Sequence, residues 1–162
     1  MKNSRILIAA AALVAIVSFD AFSQASTTQS LTLAVNAVYR IAVSGNPAAM
    51  TITAGTAGTD ALTQVTDNST TYSITQNVGA LKITAQLSTA MAAGYTLEAN
   101  LASTNGTSGG YVDLSDATPK NVVTAIARGA DAAKSISYRF SALASAGTLT
   151  STARTVTLTL TP

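Results

Sequence analysis

From Leu31 the odd positions read Leu31, Leu33, Val35, Ala37, Tyr39, Ile41 and Val43, with Thr32, Asn36 and Arg40 among the residues between them. A period of two places successive side chains on opposite faces of a sheet, so this run predicts one long strand, bent or bulged near Asn36. Gly45-Asn46-Pro47 closes it, because Gly and Asn accept turn dihedrals and Pro cannot donate to a central ladder. Residues 50–53 read as a short strand, and residues 54–70, rich in Gly, Thr and Asp, as a loop.

Tyr72, Ile74 and Gln76 alternate with Ser73 and Thr75, and Leu81, Ile83, Ala85 and Leu87 repeat the pattern after Asn77-Val78-Gly79-Ala80. So brief a connection predicts an antiparallel hairpin. Tyr95, Leu97, Ala99 and Leu101 form the apolar face of the next strand, which puts Thr96, Glu98 and Asn100 on its wet face. Residues 104–110 are too rich in Gly, Ser and Asn for a strand, residues 111–114 read as a short edge piece, and residues 121–127 as a strand that alternates less cleanly. In the C-terminal third, Ile136, Tyr138 and Phe140 share one face. The last strand, residues 154–161, sets Val156, Leu158 and Leu160 against Thr155, Thr157, Thr159 and Thr161. Eight or nine short strands without a long helix predict an all-β fold, a single antiparallel β-sandwich.

The N-terminus departs from this pattern. Lys2 and Arg5 precede an apolar run over residues 6–19, and Ser23-Gln24-Ala25 offers the small residues a signal peptidase reads. The run is shorter than the roughly 20 residues of a membrane-spanning helix. The organisation expected is a signal peptide, residues 1–25, and a β-sandwich domain, residues 26–162, with no stable membrane span after cleavage. The chain is then exported, to the periplasm, the cell surface or the medium. Without Lys2, Arg5 and Asp20 the domain carries seven basic and six acidic residues, a net charge of +1. The basic residues are scattered singly, so the clustered charge that binds nucleic acid is missing.

The chain has no histidine and no cysteine. That removes Ser-His-Asp and Cys-His nucleophile systems, thiolate and imidazole metal sites, disulfides and a lipid-bearing cysteine. Six carboxylates remain in the expected domain: Asp60, Asp67, Glu98, Asp113, Asp116 and Asp131. A glycosidase needs two of them at a set separation, but their dispersal over loops reads better as solubilising charge. Asp113 and Asp116 are the one pair with a spacing to weigh for Ca²⁺, although the alternating acidic pattern of an EF-hand loop is absent. Tyr39, Tyr72, Tyr95 and Tyr138 fall on or beside apolar strand phases. Tyr111, after Gly109-Gly110, is the tyrosine free to lie exposed as a sugar platform. The threonines of the last strand make one row, whereas an ice-binding face needs several. The reading is of a protein that is not an enzyme, with no catalytic, cofactor-binding or metal residues and no cofactor.

Tyr72-Ser73-Ile74-Thr75, Leu81-Lys82-Ile83-Thr84-Ala85 and Arg154-Thr155-Val156-Thr157-Leu158-Thr159-Leu160-Thr161 resemble the strands of secreted bacterial Ig-like or pilin-like sandwiches, including spore-coat-U-type fimbrial subunits. The family's cysteine pair is missing here, and no functional residue carries over. The resemblance implies polymerisation by β-strand addition, an N-terminal segment of one subunit completing the sheet of the next. Residues 26–35 supply such a segment, although alternation equally suits the domain's own first strand. The function expected is an exported structural or adhesive cell-surface protein, a subunit of a fimbria-like assembly, pairing with itself or with other envelope proteins. The alternative is a periplasmic or secreted module binding carbohydrate or another ligand.

Overall fold

The computed structural model describes residues 25–162, so the expected signal peptide, apart from Ala25, lies outside the described residues. Val35–Pro162 form one compact unit. It contains nine strands: β1 (Tyr39–Val43), β2 (Val65–Gln76), β3 (Leu81–Leu87), β4 (Tyr95–Leu101), β5 (Thr107–Ser108), β6 (Val112–Asp113), β7 (Lys120–Ile126), β8 (Gly129–Ala142) and β9 (Val156–Thr161). A single 3₁₀ turn, Ala144–Ala146, is the only helical element among the described residues. No helix among them is long and apolar enough to cross a membrane.

The strands make two antiparallel sheets, β1-β2-β8-β4-β6 and β5-β7-β3-β9. Alternation explains β3 and β4 directly. Leu81, Ile83, Ala85 and Leu87 are buried on β3, as are Tyr95, Leu97, Ala99 and Leu101 on β4, with every residue between them more exposed. Both sheets contribute to one apolar cluster, in which Tyr72, Ile74, Ile136 and Tyr138 of the first sheet join Leu81, Ile83, Val122, Val123 and Ile126 of the second. Leu114, just past β6, is fully buried with them.

Several sequence expectations need correction. The hairpin expected between residues 72–76 and 81–87 does not form, because β2 pairs with β1 and β8 whereas β3 pairs with β7 and β9. Residues 77–80 are instead a corner from one sheet to the other, with Gly79 at φ 82° and Ala80 at φ 55°. Gln76 holds it. Its Oε1 accepts the N–H groups of Val78 (2.8 Å) and Gly79 (2.7 Å), while its Nε2 donates to the carbonyls of Ile126 (3.2 Å) and Ala127, at the end of β7. A polar side chain at the last buried position of β2 thus satisfies four backbone groups, two in the corner and two at the end of β7.

The long first strand is also shorter than expected. It begins at Tyr39, and residues 25–38 adopt no regular element. Asn77 stops the ladder by taking its last partners: its N–H donates to the Val38 carbonyl, its Oδ1 accepts the Val38 N–H (2.7 Å), and its Nδ2 donates to the Asn36 carbonyl (2.8 Å). Residues 50–53 form no strand, and the expected loop over 54–70 gives way to β2 at Val65.

Bulges account for the strands that alternate poorly. Between the pairs Leu81↔Ile126 and Ile83↔Val123, β7 spends one residue more than β3, and Ala125 there has φ 52°. Between Tyr72↔Lys134 and Ile74↔Asp131, β8 does the same against β2, with Ala133 at φ 49° and its N–H donating to Ser73 Oγ. Each extra residue flips the phase of the strand beyond it. A second shift, between Ile83↔Val123 and Thr84↔Asn121, leaves Val122 and Val123 both buried, and beyond the β8 bulge Asp131 turns inward.

Candidate functional site

Asp131 is the carboxylate whose placement the sequence conceals most. It is 1% exposed, near the start of β8, and the loop after β4 wraps it. Ser103 Oγ (2.7 Å), Thr104 Oγ1, Thr104 N (3.1 Å) and Asn105 N (3.3 Å) all donate to it. Lys134 Nζ stands 3.9 Å away. Burial on its own raises a carboxyl pKa, but the bonds from Thr104, Ser103 and Asn105 outweigh it and hold Asp131 below the ordinary carboxylate range. Beside it, Tyr72 Oη donates to the Ala102 carbonyl (2.6 Å), and burial pushes its phenol up to about 12. The hydrogen bonds of both groups run to the same loop. The arrangement fastens residues 102–105 to β2 and β8, and neither group is poised for proton transfer near neutrality.

The other carboxylates are apart from it and from one another. Asp60 is exposed and accepts from Ser145 N and Oγ, both at 2.8 Å, which ties the segment before β2 to the 3₁₀ turn. Asp67 accepts from Ser69 across a bulge in β2. The expected Asp113–Asp116 pair does not share a centre. Asp113 accepts the Ser115 N–H (2.8 Å), while Asp116 accepts from Thr118 and from Lys120 Nζ (2.6 Å). The Lys120 bond above all, then those from Thr118, lower Asp116 to about 2. No group of three Asp, Glu, His or Cys residues that could hold a metal occurs among the described residues.

Glu98 faces outward on β4, as its phase requires, and accepts from Arg139 Nε of β8 at 2.6 Å across the register pair Glu98↔Arg139. The Arg139 guanidinium also lies 4.1 Å from the centre of the Tyr111 ring. Its bond to Glu98 holds the guanidinium pKa above its ordinary value. Tyr111 is exposed as expected, but one ring face is occupied by Arg139, which makes a cation–π stack in place of a free sugar platform. Tyr72, Tyr95 and Tyr138 are buried, whereas Tyr39 is 47% exposed.

Two shallow hollows mark the surface. One of about 240 Å³ is lined by uncharged residues, among them Leu62, Thr96, Ser141 and Leu143. The other, about 390 Å³, runs along β1 and β2 past Tyr39, Ile41 and Ile74, with Arg40 its only charge. Neither brings two carboxylates together.

The feature left without a partner among the described residues is apolar. Leu31, Leu33 and Val35 are 77%, 81% and 88% exposed, higher than any other large hydrophobic residue among those described. They stand at alternate positions in an uncharged stretch, Ser26-Thr27-Thr28-Gln29-Ser30-Leu31-Thr32-Leu33-Ala34-Val35. The alternation is visible in the sequence, whereas the lack of a partner strand is not. No protein-family model, no curated protein and no solved structure matches the chain.

Proposed function

We propose that this is a non-catalytic, exported structural or adhesive cell-surface protein, an Ig-like or pilin-like β-sandwich that assembles by β-strand pairing through residues 26–35. The observation that carries the reading is the exposure of Leu31, Leu33 and Val35 in a segment with strand alternation and no strand partner among the described residues. An apolar side chain left in water forgoes roughly 1.5–3 kcal/mol that burial would return, and three of them at a period of two fit the inward face of an added strand. The two sheets with a shared core support the sandwich, and the apolar run behind Lys2 and Arg5 supports export. Dispersed and individually satisfied carboxylates favour a structural role over hydrolysis.

Light scattering and negative-stain microscopy of protein recovered from cells expressing the full sequence test the proposal. Fibres or an oligomer ladder, lost on deleting residues 26–35, are expected. A monodisperse folded monomer overturns the reading and leaves the ligand-binding module in its place.

A further inference from the structure

Asn105-Gly106 is the only Asn-Gly step in the sequence, and it lies in the loop that wraps Asp131. Position 106 has little freedom to be anything but glycine. A Cβ there would come within 2.9 Å of Ile126 Cγ1 and of the Thr124 carbonyl oxygen, because the loop backbone packs directly on β7. That close approach has a chemical consequence. An asparagine followed by a residue without a side chain meets no steric obstacle when the next backbone nitrogen attacks its amide carbon.

The reaction needs two groups, and the fold restrains both. The nucleophile, Gly106 N, donates its hydrogen to Ser103 Oγ (2.9 Å), and Ser103 Oγ in turn donates to Asp131 (2.7 Å). The leaving group, Asn105 Nδ2, donates to the Ala130 carbonyl at 2.8 Å. The backbone between them is held as well. Asn105 N donates to Asp131 (3.3 Å), and the Asn105 carbonyl accepts the Ala127 N–H (2.7 Å). Asn105 therefore bridges the loop to the β7–β8 connection, and ring closure requires Gly106 N and the Asn105 amide to leave these partners.

We propose that Asn105-Gly106 is a self-modifying site latched by Asp131: Asn105 persists while the loop is closed, and opening of the loop exposes it to conversion into aspartate or isoaspartate. Gly106 N bonds to Asn105 Cγ, the Cγ–Nδ2 bond breaks, and Nδ2 departs as ammonia with the Gly106 amide proton. Water then opens the succinimide, at Cγ to give aspartate or at the backbone carbonyl carbon of residue 105 to give isoaspartate. In either product the donor to the Ala130 carbonyl is gone, and a new carboxylate stands in the loop that already surrounds Asp131. Isoaspartate also lengthens the main chain by a methylene and displaces the carbonyl that accepts Ala127. The loop then does not re-close as before, so a transient opening leaves a permanent chemical mark. The site acts within one chain, whether or not copies assemble.

Full-length chains held in mildly alkaline buffer, folded or in urea, test this, with aspartate and isoaspartate at position 105 resolved by chromatography and mass spectrometry. Asn121-Val122 in the same digest is the reference, since its branched neighbour obstructs the ring. In urea, Asn105 should convert much faster than Asn121. Folded wild type should convert at least about tenfold more slowly than the chain in urea, and Asp131→Asn and Ser103→Ala should each recover part of that difference. Asn105 as slow as Asn121 in urea overturns the site. Folded wild type as fast as the unfolded chain overturns the latch, as does a folded S103A no faster than wild type, which decides the matter even if D131N does not fold. Asn105→Asp, made directly, should unfold at lower urea and exchange the Thr104 and Ala127 amides faster. Equal stability and exchange overturn the failure to re-close.

Discussion

Asp131 shows how much one buried charge can organise. Its carboxylate is the acceptor for a whole loop, so Asp131→Asn removes the charge and sets an amide N–H₂ against backbone and hydroxyl donors. A loss of about 2–4 kcal/mol in urea unfolding is expected, in line with breaking charge-assisted bonds and stranding their donors. The pH dependence has a definite sign. Because the folded-state pKa lies below the ordinary 3.8, the contribution is complete above about pH 4 and is lost as pH falls through the folded value. Wild type should therefore lose stability below pH 4 more steeply than D131N. None of this was legible in Gly129-Ala130-Asp131-Ala132-Ala133, which reads as a loop acid until the bulge at Ala133 is known. Two other residues carry local cost. Thr70 Oγ1 is buried without a hydrogen-bond partner, so Thr70→Val should be neutral or stabilise by about 1 kcal/mol. Ala133 holds a left-handed conformation that costs an L-residue roughly 1–2 kcal/mol, and Ala133→Gly should recover about 0.5–1 kcal/mol after glycine's extra entropy. Both changes are read as shifts in denaturation midpoint.

At the scale of elements, alternation located β3, β4 and β9 within about two residues at each end, since one face of each is core and nothing interrupts the phase. It blurred β7 and β8, where bulges insert an unpaired residue, and it could not say which strands pair. The Asn77–Ala80 connection has the length of a hairpin, yet it crosses between sheets. The deciding agent is Gln76, whose bonds to Ile126 and Ala127 reach about fifty positions along the sequence. Gln76→Ala should cost about 2–3 kcal/mol by leaving those carbonyls and the Val78 and Gly79 N–H groups short of partners. Amide exchange at Val78 and Gly79 should quicken with it, which separates loss of the corner from a general loss of packing.

For the whole molecule, both sheets are built from pairings between distant parts of the chain. Ile83 lies opposite Leu160, and Thr66 opposite Arg139. β3 in particular sits between β7 and β9, and both come after it in the sequence. That order gives assembly a direction in time. In a chain made from its N-terminus, β3 stays half-flanked until residues 156–161 arrive, and closure over such spans is slow, of the millisecond-to-second class typical of all-β topologies. Until then, the strand whose every second side chain is destined for the core offers its own bare edge to any passing neighbour. The last six-residue strand is thus a lock: its arrival ends the interval in which the chain is most open to mispairing.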